Sequence, residues 1–252
     1  MPRQDMHPDE WTARQQLAAV YRVFAMLGWT EMIYNHITVR LSASVTGARK
    51  EFLINPFGLH YSEVCASNLV RIDLQGRVVG SSDCKVNPAG FTVHAAIHDG
   101  VEDAHCVMHT HTTSGMAVAT AQCGLDMHNF YSAQLVGQVA YHPFEGITVH
   151  AEEGPRLVAG IRGKPFVILQ NHGLLCYGET LAQAFVRLWT LQRACDVQVA
   201  GAPLGPRIPI PTEMAAQCAR DTLQFKTEHG AGQDVLDAMT RLVHRLDDSY
   251  LN

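Results

Sequence analysis

Histidine is the residue type whose number and spacing in this chain suggest chemistry. Fourteen histidines occur in 252 residues, and they are concentrated between positions 94 and 172. Two of them, His109 and His111, form the motif MHTH within a run typical of a β-strand. Side chains two positions apart on a strand point to the same face, with Cα atoms about 6.5 Å apart, so both imidazoles could bind one ion. The pattern predicts a metal site.

A third histidine, His172, lies in LQNHGLL, where we expect a strand to end in a tight corner that Gly173 permits. Neutral imidazole suits Zn, Fe, Co, Ni and Cu, and three protein ligands that leave positions open are typical of a catalytic site. A closed structural site would need a fourth ligand. Cys106 lies at odd spacing from His109 and should face the other side of the strand. Spacing alone leaves open that the histidines are ordinary hydrogen-bonded side chains.

The composition limits the classes of partner and compartment. Apolar residues make up 47% of the chain and charged residues 17%, which indicates a globular protein with a substantial core. The net charge is −5 without a cluster of lysine and arginine, so we expect binding to neither nucleic acid nor a membrane. The polar start MPRQDMHPDEW is unlike a secretory signal, and seven scattered cysteines form no CxxC pair. We expect a cytoplasmic protein.

Short apolar strands alternate with amphipathic helices, which predicts a layered α/β domain. An opening helix from about Asp9 to Leu27 should end at Gly28. The predicted strands are ITVRL, EFLIN, LVRID, AHCVMHTH, FVILQ and LLCY. Further helices are predicted at Phe91 to His98, from Thr112 onward, at Glu153 to Ile161, at Thr180 to Ala200, and, beyond the proline-rich GAPLGPRIPIP, at Thr212 to Lys226 and Gln233 to Leu246.

The stretch NPAGFTVHAAIHDGVEDAHCVMHTHTTSGMAVA, followed later by QNHGLL, resembles the class II aldolase/adducin family. The resemblance covers roughly residues 11–200. It implies a three-layer αβα sandwich with a central mixed sheet, often assembled as a homotetramer with active sites between subunits. We interpret residues 1–205 as this domain and residues 206–252 as a C-terminal helical extension packed on it. The family's ligand positions match His109, His111 and His172, which implies one divalent metal ion per subunit: Zn or Fe, with Mn and Co as further candidates.

The sequence departs from the aldolases of the family at the residues that bind phosphate and move protons. Those enzymes carry Pro-Ser-Ser-Glu shortly before the HxH motif. The corresponding stretch here is Asn87, Pro88, Ala89 and Gly90, which offers neither serine hydroxyls nor a carboxylate. A phosphate-binding Asn of the family is also replaced, by His36. We therefore expect a small, non-phosphorylated substrate and a different acid/base.

Three residues are candidates for that acid/base, since they follow the HxH motif in a region that lines the family's pocket. They are Tyr131, His142 and Glu145. Each has an alternative role: a packed aromatic ring, a hydrogen-bonded histidine and a solvated carboxylate. His94, on the helix before the metal strand, is open to either packing behind the metal ligands or direct chemistry.

The NPAGF variant resembles the adducin-like branch of the family, whose functions are mixed. That branch includes a cytoskeletal head domain that is not an enzyme and iron-dependent oxygenases that cleave aryl 2-oxo or 2-hydroxy acids. We expect a metal-dependent enzyme that cleaves a carbon-carbon bond in a small oxo or hydroxy acid by aldolase- or decarboxylase-like lyase chemistry. The alternatives are a non-heme iron oxygenase acting on an aryl 2-oxo or 2-hydroxy acid and a non-catalytic adducin-like binding module. Retention of all three histidines argues against the last.

Overall fold

The strands of the chain form one mixed sheet in the computed structural model, which describes residues 6–147, 150–161 and 163–252. Within these residues the sheet has seven strands in the order β3-β2-β1-β4-β7-β6-β5. Neighbouring strands pair antiparallel, except that β5 and β6 are parallel. The strands are β1 (His36–Arg40), β2 (Glu51–Ile54), β3 (Val70–Asp73), β4 (Cys106–Thr110), β5 (Val139–His142), β6 (Phe166–Leu169) and β7 (Gly173–Gly178).

Helices connect and cover these strands. They are α1 (Pro8–Leu27), α2 (Ala43–Thr46), α3 (Pro88–Gly100), α4 (Thr113–Thr120), α5 (Phe130–Ala133), α6 (Glu153–Ile161), α7 (Leu181–Gly201), α8 (Thr212–Asp221) and α9 (Gln233–Leu246). Short 3-10 segments lie at Tyr61–Glu63, Ala202–Leu204, Leu223–Phe225, Thr227–Gly232 and Ser249–Leu251.

The predicted opening helix is present within one residue of its expected bounds. At its start the His7 side chain accepts a hydrogen bond from the backbone N–H of Asp9, which satisfies one of the free donors of the first turn. At its end Gly28 adopts φ +74°, the left-handed conformation that commonly terminates a helix. Leu17, Val20 and Phe24 recur at helical spacing and are fully buried, which explains why the helix packs on the sheet.

The alternation of side chains along β4 shows how the layers are arranged. Cys106 and Met108 belong to the core cluster formed with α1, α4 and α7, whereas Val107 packs in a second cluster with α3 and α6. Because side chains two positions apart share a face, His109 lies on the same side as Val107, facing α3. Helices on both faces of one mixed sheet form the three-layer αβα sandwich that the sequence predicted.

The C-terminal helices join the first of these clusters. Helix α9 packs against α1 and α7, and Leu236, Val243 and Tyr250 are buried in the shared core. The division of the chain at residue 205 stays a prediction. Among the described residues, no helix combines the length and the apolar character that crossing a membrane requires.

Several element bounds differ from the predicted ones, and three short helices or strands were missed. Helix α3 begins at Pro88, because proline is favoured in the first turn of a helix although the NPAG stretch resembles a turn. Strand β4 ends at Thr110, so His111 follows the strand. Helix α8 ends at Asp221, five residues before the predicted end. The edge strand β5 and the single-turn helices α2 and α5 were not predicted, since none of them has enough residues to show a clear hydrophobic period.

Candidate metal centre

Three histidines meet where the end of β4 approaches the β6–β7 hairpin. We call His109, His111 and His172 the histidine triad. Their potential ligand nitrogens all lie within 4.8 Å of one another. The ring centroids are 4.5 Å apart for His109 and His111, 4.8 Å for His109 and His172, and 5.0 Å for His111 and His172. The structure thus brings together the three residues that the sequence proposed as ligands.

The hairpin places His172 through a tight three-residue loop. Leu169 and Gly173 are paired across β6 and β7, and Asn171 in the loop has φ +56°, a left-handed conformation that asparagine tolerates. The His172 N–H donates to the carbonyl of Leu169 at 3.0 Å. A Cβ atom on Gly173 would lie 2.4 Å from the Thr110 carbonyl oxygen, a distance too short for any side chain. Glycine at this corner is therefore required for His172 to approach β4.

The backbone after β4 is held by a neighbouring side chain. Asn35, which is buried just before β1, accepts a hydrogen bond from the His111 N–H at 3.2 Å. His111 leaves the sheet at this point, yet its ring still faces His109. The geometry expected from a continuous strand is therefore obtained by a strand plus one anchored residue.

The tautomer of His109 is fixed by its hydrogen bond. Nδ1 of His109 lies 2.8 Å from the carbonyl oxygen of Leu174, and a carbonyl oxygen can only accept, so Nδ1 carries the proton. Burial lowers the pKa of His109 well below its usual range, and the neighbouring histidines lower it further. In this neutral ring the lone pair lies on Nε2, which is 2.7 Å from Nε2 of His111. A second partner that orients a ligating imidazole in this way is typical of metal sites.

The other two rings are also held neutral. Burial lowers the pKa of His172 to about 4, with smaller contributions from His111 and His142. Burial likewise lowers the pKa of His111. Neutral imidazole is the form that binds metal. Among the described residues, the cluster contains three imidazoles and neither a carboxylate nor a thiolate, a donor set that fits Zn or a first-row transition metal with open coordination positions.

The triad opens into a cavity of about 320 Å³. The mouth of this cavity carries the exposed apolar side chains of Tyr34, Phe144 and Ile147. Besides the triad, the described residues that line it are Glu31, Tyr34, His36, Asn87, Gly90, Val93, His94, Phe144, Gly146 and Ile147.

His36 fills the space that a side chain at position 90 would need. A Cβ on Gly90 would lie 2.2 Å from Nε2 of His36 and 2.4 Å from its Cε1. Burial lowers the pKa of His36 to about 4, and His111 and His172 lower it further, while the nearby Asn55 side chain acts in the opposite direction. The two departures from the family's aldolases, at positions 36 and 90, are therefore one coupled arrangement: the His36 ring lies where a side chain at position 90 would begin.

Tyr131 lies on α5, away from the described lining of the cavity. Its ring packs edge-on against Trp189, with centroids 5.6 Å apart, and the guanidinium carbon of Arg193 lies 5.7 Å above it. This environment is that of a packed aromatic ring within one subunit. A catalytic role for Tyr131 stays a prediction.

His142 and Glu145 are also absent from the described lining, although Phe144 and Gly146 belong to it. His142 is buried, and its Nε2 lies 3.1 Å from Oε1 of Glu153. Glu145 forms a paired ion bridge with Arg156, which holds the pKa of the carboxyl group below its usual range. Both groups have partners in this subunit, and their catalytic role likewise stays a prediction.

Glu31 and Tyr34 line the cavity without having been proposed from the sequence. Glu31 and the following Met32 have φ of +39° and +58°, a conformation that is rare for residues other than glycine. Strained backbone often occurs beside functional sites. The signal in the sequence was weak, since WTEMIYNH shows neither a hydrophobic period nor a known motif; only its position next to His36 could have indicated these residues.

The chain is similar to known proteins over most of its length. The model of the Class II Aldolase and Adducin N-terminal domain matches residues 15–199. A crystal structure of an aldolase II superfamily protein from Pseudomonas syringae superposes with a TM-score of 0.91 and 35% identity, covering 100% of this chain and 99% of that chain. The L-fuculose 1-phosphate aldolase from Glaciozyma antarctica PI12 gives a TM-score of 0.82 and 28% identity, covering 96% of this chain and 92% of its own. Alpha-adducin of Rattus norvegicus is 45% identical over 189 residues, which are 74% of this chain and 25% of the adducin.

Proposed function

Because the chain belongs to the class II aldolase and adducin family, we propose that it is a metal-dependent lyase that cleaves a carbon-carbon bond in a small, non-phosphorylated oxo or hydroxy acid. The observation that supports this most directly is the histidine triad at the floor of a cavity, with Nε2 of His109 fixed as a lone-pair donor. Similarity to an L-fuculose 1-phosphate aldolase is consistent with lyase chemistry.

His109, His111 and His172 would hold one divalent ion per subunit. When bound, such an ion supplies a Lewis acid that polarises substrate oxygens. The protein's own contribution is to keep three imidazoles neutral and oriented, through the Leu174 carbonyl behind His109 and the hairpin that presents His172. Zn and Fe are the leading candidates, with Mn and Co as further ones.

The lining of the cavity favours a substrate without phosphate. Among the described residues, the lining includes neither lysine nor arginine, whereas Glu31 adds a carboxylate. Phosphate sites generally rely on cationic side chains or on convergent N–H donors. Gly90 brings no side chain, and His36 takes its space. The apolar mouth formed by Tyr34, Phe144 and Ile147 suits an acid with an apolar or aryl substituent.

The acid/base of the reaction is proposed to come from a neighbouring subunit of a homotetramer. Tyr131, His142 and Glu145 lie outside the described lining of the cavity in their own subunit. Tyr131 or Glu145 would therefore act on the cavity of another copy, in keeping with active sites formed between subunits. His142 lies near enough to His172 of its own subunit to lower the pKa of that ring.

A second candidate, a non-heme iron oxygenase acting on an aryl 2-oxo or 2-hydroxy acid, is favoured by one observation. By resemblance, Gly90 corresponds to the catalytic carboxylate of the family's aldolases, and the His36 ring fills the space beside it. Iron sites with three protein ligands and open positions can use dioxygen instead of a dedicated acid/base. The similarity to alpha-adducin supports a third candidate, a binding module, against which the intact triad argues.

Metal identity is the test that separates these candidates. The protein is purified without added metal, and Zn, Fe, Mn and Co are measured by elemental spectrometry in the wild type and in His109→Ala. We expect about one ion per subunit in the wild type and its loss in the variant. Zinc would favour the lyase. Iron, together with oxygen consumption during cleavage of an aryl pyruvate, would favour the oxygenase, and equal metal content in both proteins would overturn the proposal in favour of the binding module.

A further inference from the structure

A chain of three buried side chains runs through the layer between the sheet and α3 and ends at the cavity. Nδ1 of His98 lies 2.7 Å from the carbonyl oxygen of Ala104, and Nε2 of His98 lies 2.7 Å from Oγ1 of Thr38. The same Thr38 Oγ1 lies 2.8 Å from Nδ1 of His94. Thr38 and both histidines are at most 1% exposed.

The contact between His98 and the Ala104 carbonyl sets the donor and acceptor roles in these hydrogen bonds. The Ala104 carbonyl can only accept, so Nδ1 of His98 carries a proton and donates it. Burial, aided by Arg40, His105 and Lys50, lowers the pKa of His98 to about 3, against the opposing hydrogen bond to Ala104. The ring is therefore neutral and its Nε2 is an acceptor.

The hydroxyl of Thr38 then determines which nitrogen of His94 carries the proton. Its hydroxyl donates its single proton to Nε2 of His98, which leaves only lone pairs on Oγ1 for His94. Nδ1 of His94 must then be the protonated nitrogen. Burial, with His36 and His98 nearby, lowers the pKa of His94 well below its usual range, so the ring carries one proton. Nε2 of His94 is thereby left as a bare lone pair.

That nitrogen is buried without a hydrogen-bond partner among the described residues, and His94 lines the cavity. A buried acceptor without a donor is unfavourable, so a water or a ligand in the cavity would supply the donor. His94 is not a member of the metal-binding cluster found in the described chain, and its ring centroid lies 6.5 Å from that of His109. The missing partner is thus an O–H or N–H group beside the triad.

We infer that Nε2 of His94 is a fixed acceptor for a substrate hydroxyl, which makes the site selective for a hydroxy acid over the corresponding oxo acid. The inference rests on the proposed function for the presence of the substrate in this cavity. A hydroxyl donates to the bare lone pair of His94. A carbonyl oxygen presents only lone pairs and is repelled, so it leaves the acceptor unsatisfied. His94 acts here as a specificity-determining residue, and Thr38 and His98 position its proton.

The first arm of the test observes the tautomer directly and needs neither metal nor turnover. Long-range ¹H–¹⁵N spectra of the ¹⁵N-histidine-labelled protein distinguish a proton on Nδ1 from one on Nε2, with His94→Gln identifying the signals of His94. We expect the Nδ1-protonated form of His94 in the wild type. Thr38→Val, which has nearly the same shape but lacks the hydroxyl, should shift His94 toward a mixture of tautomers. A wild-type His94 protonated on Nε2 would overturn the inference.

The second arm measures binding of phenyllactate and phenylpyruvate, a matched hydroxy and oxo pair, to the zinc-loaded protein by calorimetry. We expect the wild type to bind phenyllactate at least about tenfold more tightly, since a site built to bond a hydroxyl discriminates against its absence. Thr38→Val and His94→Gln should reduce this preference to about twofold or less. Thr190→Val removes a buried hydroxyl that bonds within α7 and should retain the wild-type preference.

The outcomes separate this inference from the proposed function. Equal binding of the two acids by the wild type, binding of neither, or an unchanged preference in His94→Gln would overturn the inference. Loss of zinc in His109→Ala, together with its retention in His94→Gln, would leave the proposed metal site standing whatever the acids do. If the wild type takes up no metal, the proposed function fails, and the tautomer measurement still tests the acceptor.

Discussion

His36 and Gly90 occupy one space at the wall of the cavity. A Cβ on Gly90 would lie 2.2 Å from Nε2 of His36, well inside van der Waals contact. The ring belongs to the first residue of β1, which is paired directly with His109 on β4. A residue on the strand beside the histidine triad thus fills the room that a side chain at position 90 on α3 would need.

The contact between His36 and Gly90 predicts strong coupling between substitutions at the two positions. Gly90→Ala should destabilise the wild type by roughly 1–3 kcal/mol, because the added methyl group overpacks the site against a buried ring. In a His36→Asn background the same substitution should cost at least about 0.5 kcal/mol less. Urea unfolding of the two single variants and the double variant measures the coupling free energy. Additive effects would mean that the two residues do not compete for this space.

The tight corner at Gly173 predicts that a substitution there reduces metal binding. Gly173→Ala places a Cβ 2.4 Å from the Thr110 backbone carbonyl and 3.0 Å from Cδ2 of His111, so the β6–β7 hairpin must move away from β4. We expect the variant to lose most of its bound metal and more than about 1 kcal/mol of stability. Gly137→Ala is the matched control, since Gly137 has φ +79° but open space around its missing Cβ. It should lose stability through strain and keep its metal. Equal metal content in the two variants would show that the corner does not position His172.

The buried side chains of His98, Thr38 and His94 predict that stability depends on pH. Burial lowers the pKa of His98 to about 3, so the folded state excludes a proton that the unfolded chain binds below about pH 6.5. The contribution of His98 is therefore fully present above pH 6.5 and is lost as the pH falls toward 3. His98→Gln removes this titration.

Between pH 7.5 and 5.5 the metal-free wild type should lose about 1.4 kcal/mol more unfolding free energy than His98→Gln. Urea unfolding at the two pH values measures this difference, and the histidines that are not coupled to His98 through Thr38 cancel in the comparison. A larger loss in the variant would reverse the sign and contradict a neutral, buried His98.

The sequence predicted the layered fold and the three histidines that the structure brings together, whereas their role as metal ligands stays a prediction. Long helices such as α1 and α7 repeat their apolar residues often enough to be recognised from their spacing. His109 and His111 are two positions apart, so local geometry brings them together. His172 is distant in the chain, and its assignment relied on the family resemblance.

The rest of the site depends on pairings that no local pattern contains. His36 meets Gly90 because β1 pairs with β4 in one register, with His36 opposite His109. The hydrogen bonds of the Thr38 hydroxyl require that His94 and His98, one turn apart on α3, both face this side chain on β1. A strand register and a helix rotation must both be known before either contact can be inferred.

Zinc bound at the histidine triad should stabilise the folded protein. A ligand that binds the folded state alone stabilises it by about 2.7 kcal/mol when its free concentration is 100 times its dissociation constant. Zinc at that excess should therefore raise the unfolding free energy of the chelator-treated wild type by a similar amount and raise its Tm. His109→Ala should show almost none of this increase, because the fixed Nε2 donor is gone while His111 and His172 remain. His150→Ala removes an exposed histidine outside the triad and should respond to zinc as the wild type does. A zinc-dependent increase in His109→Ala equal to that of the wild type would place the stabilising ion elsewhere on the protein and would remove the main support for the triad as its binding site.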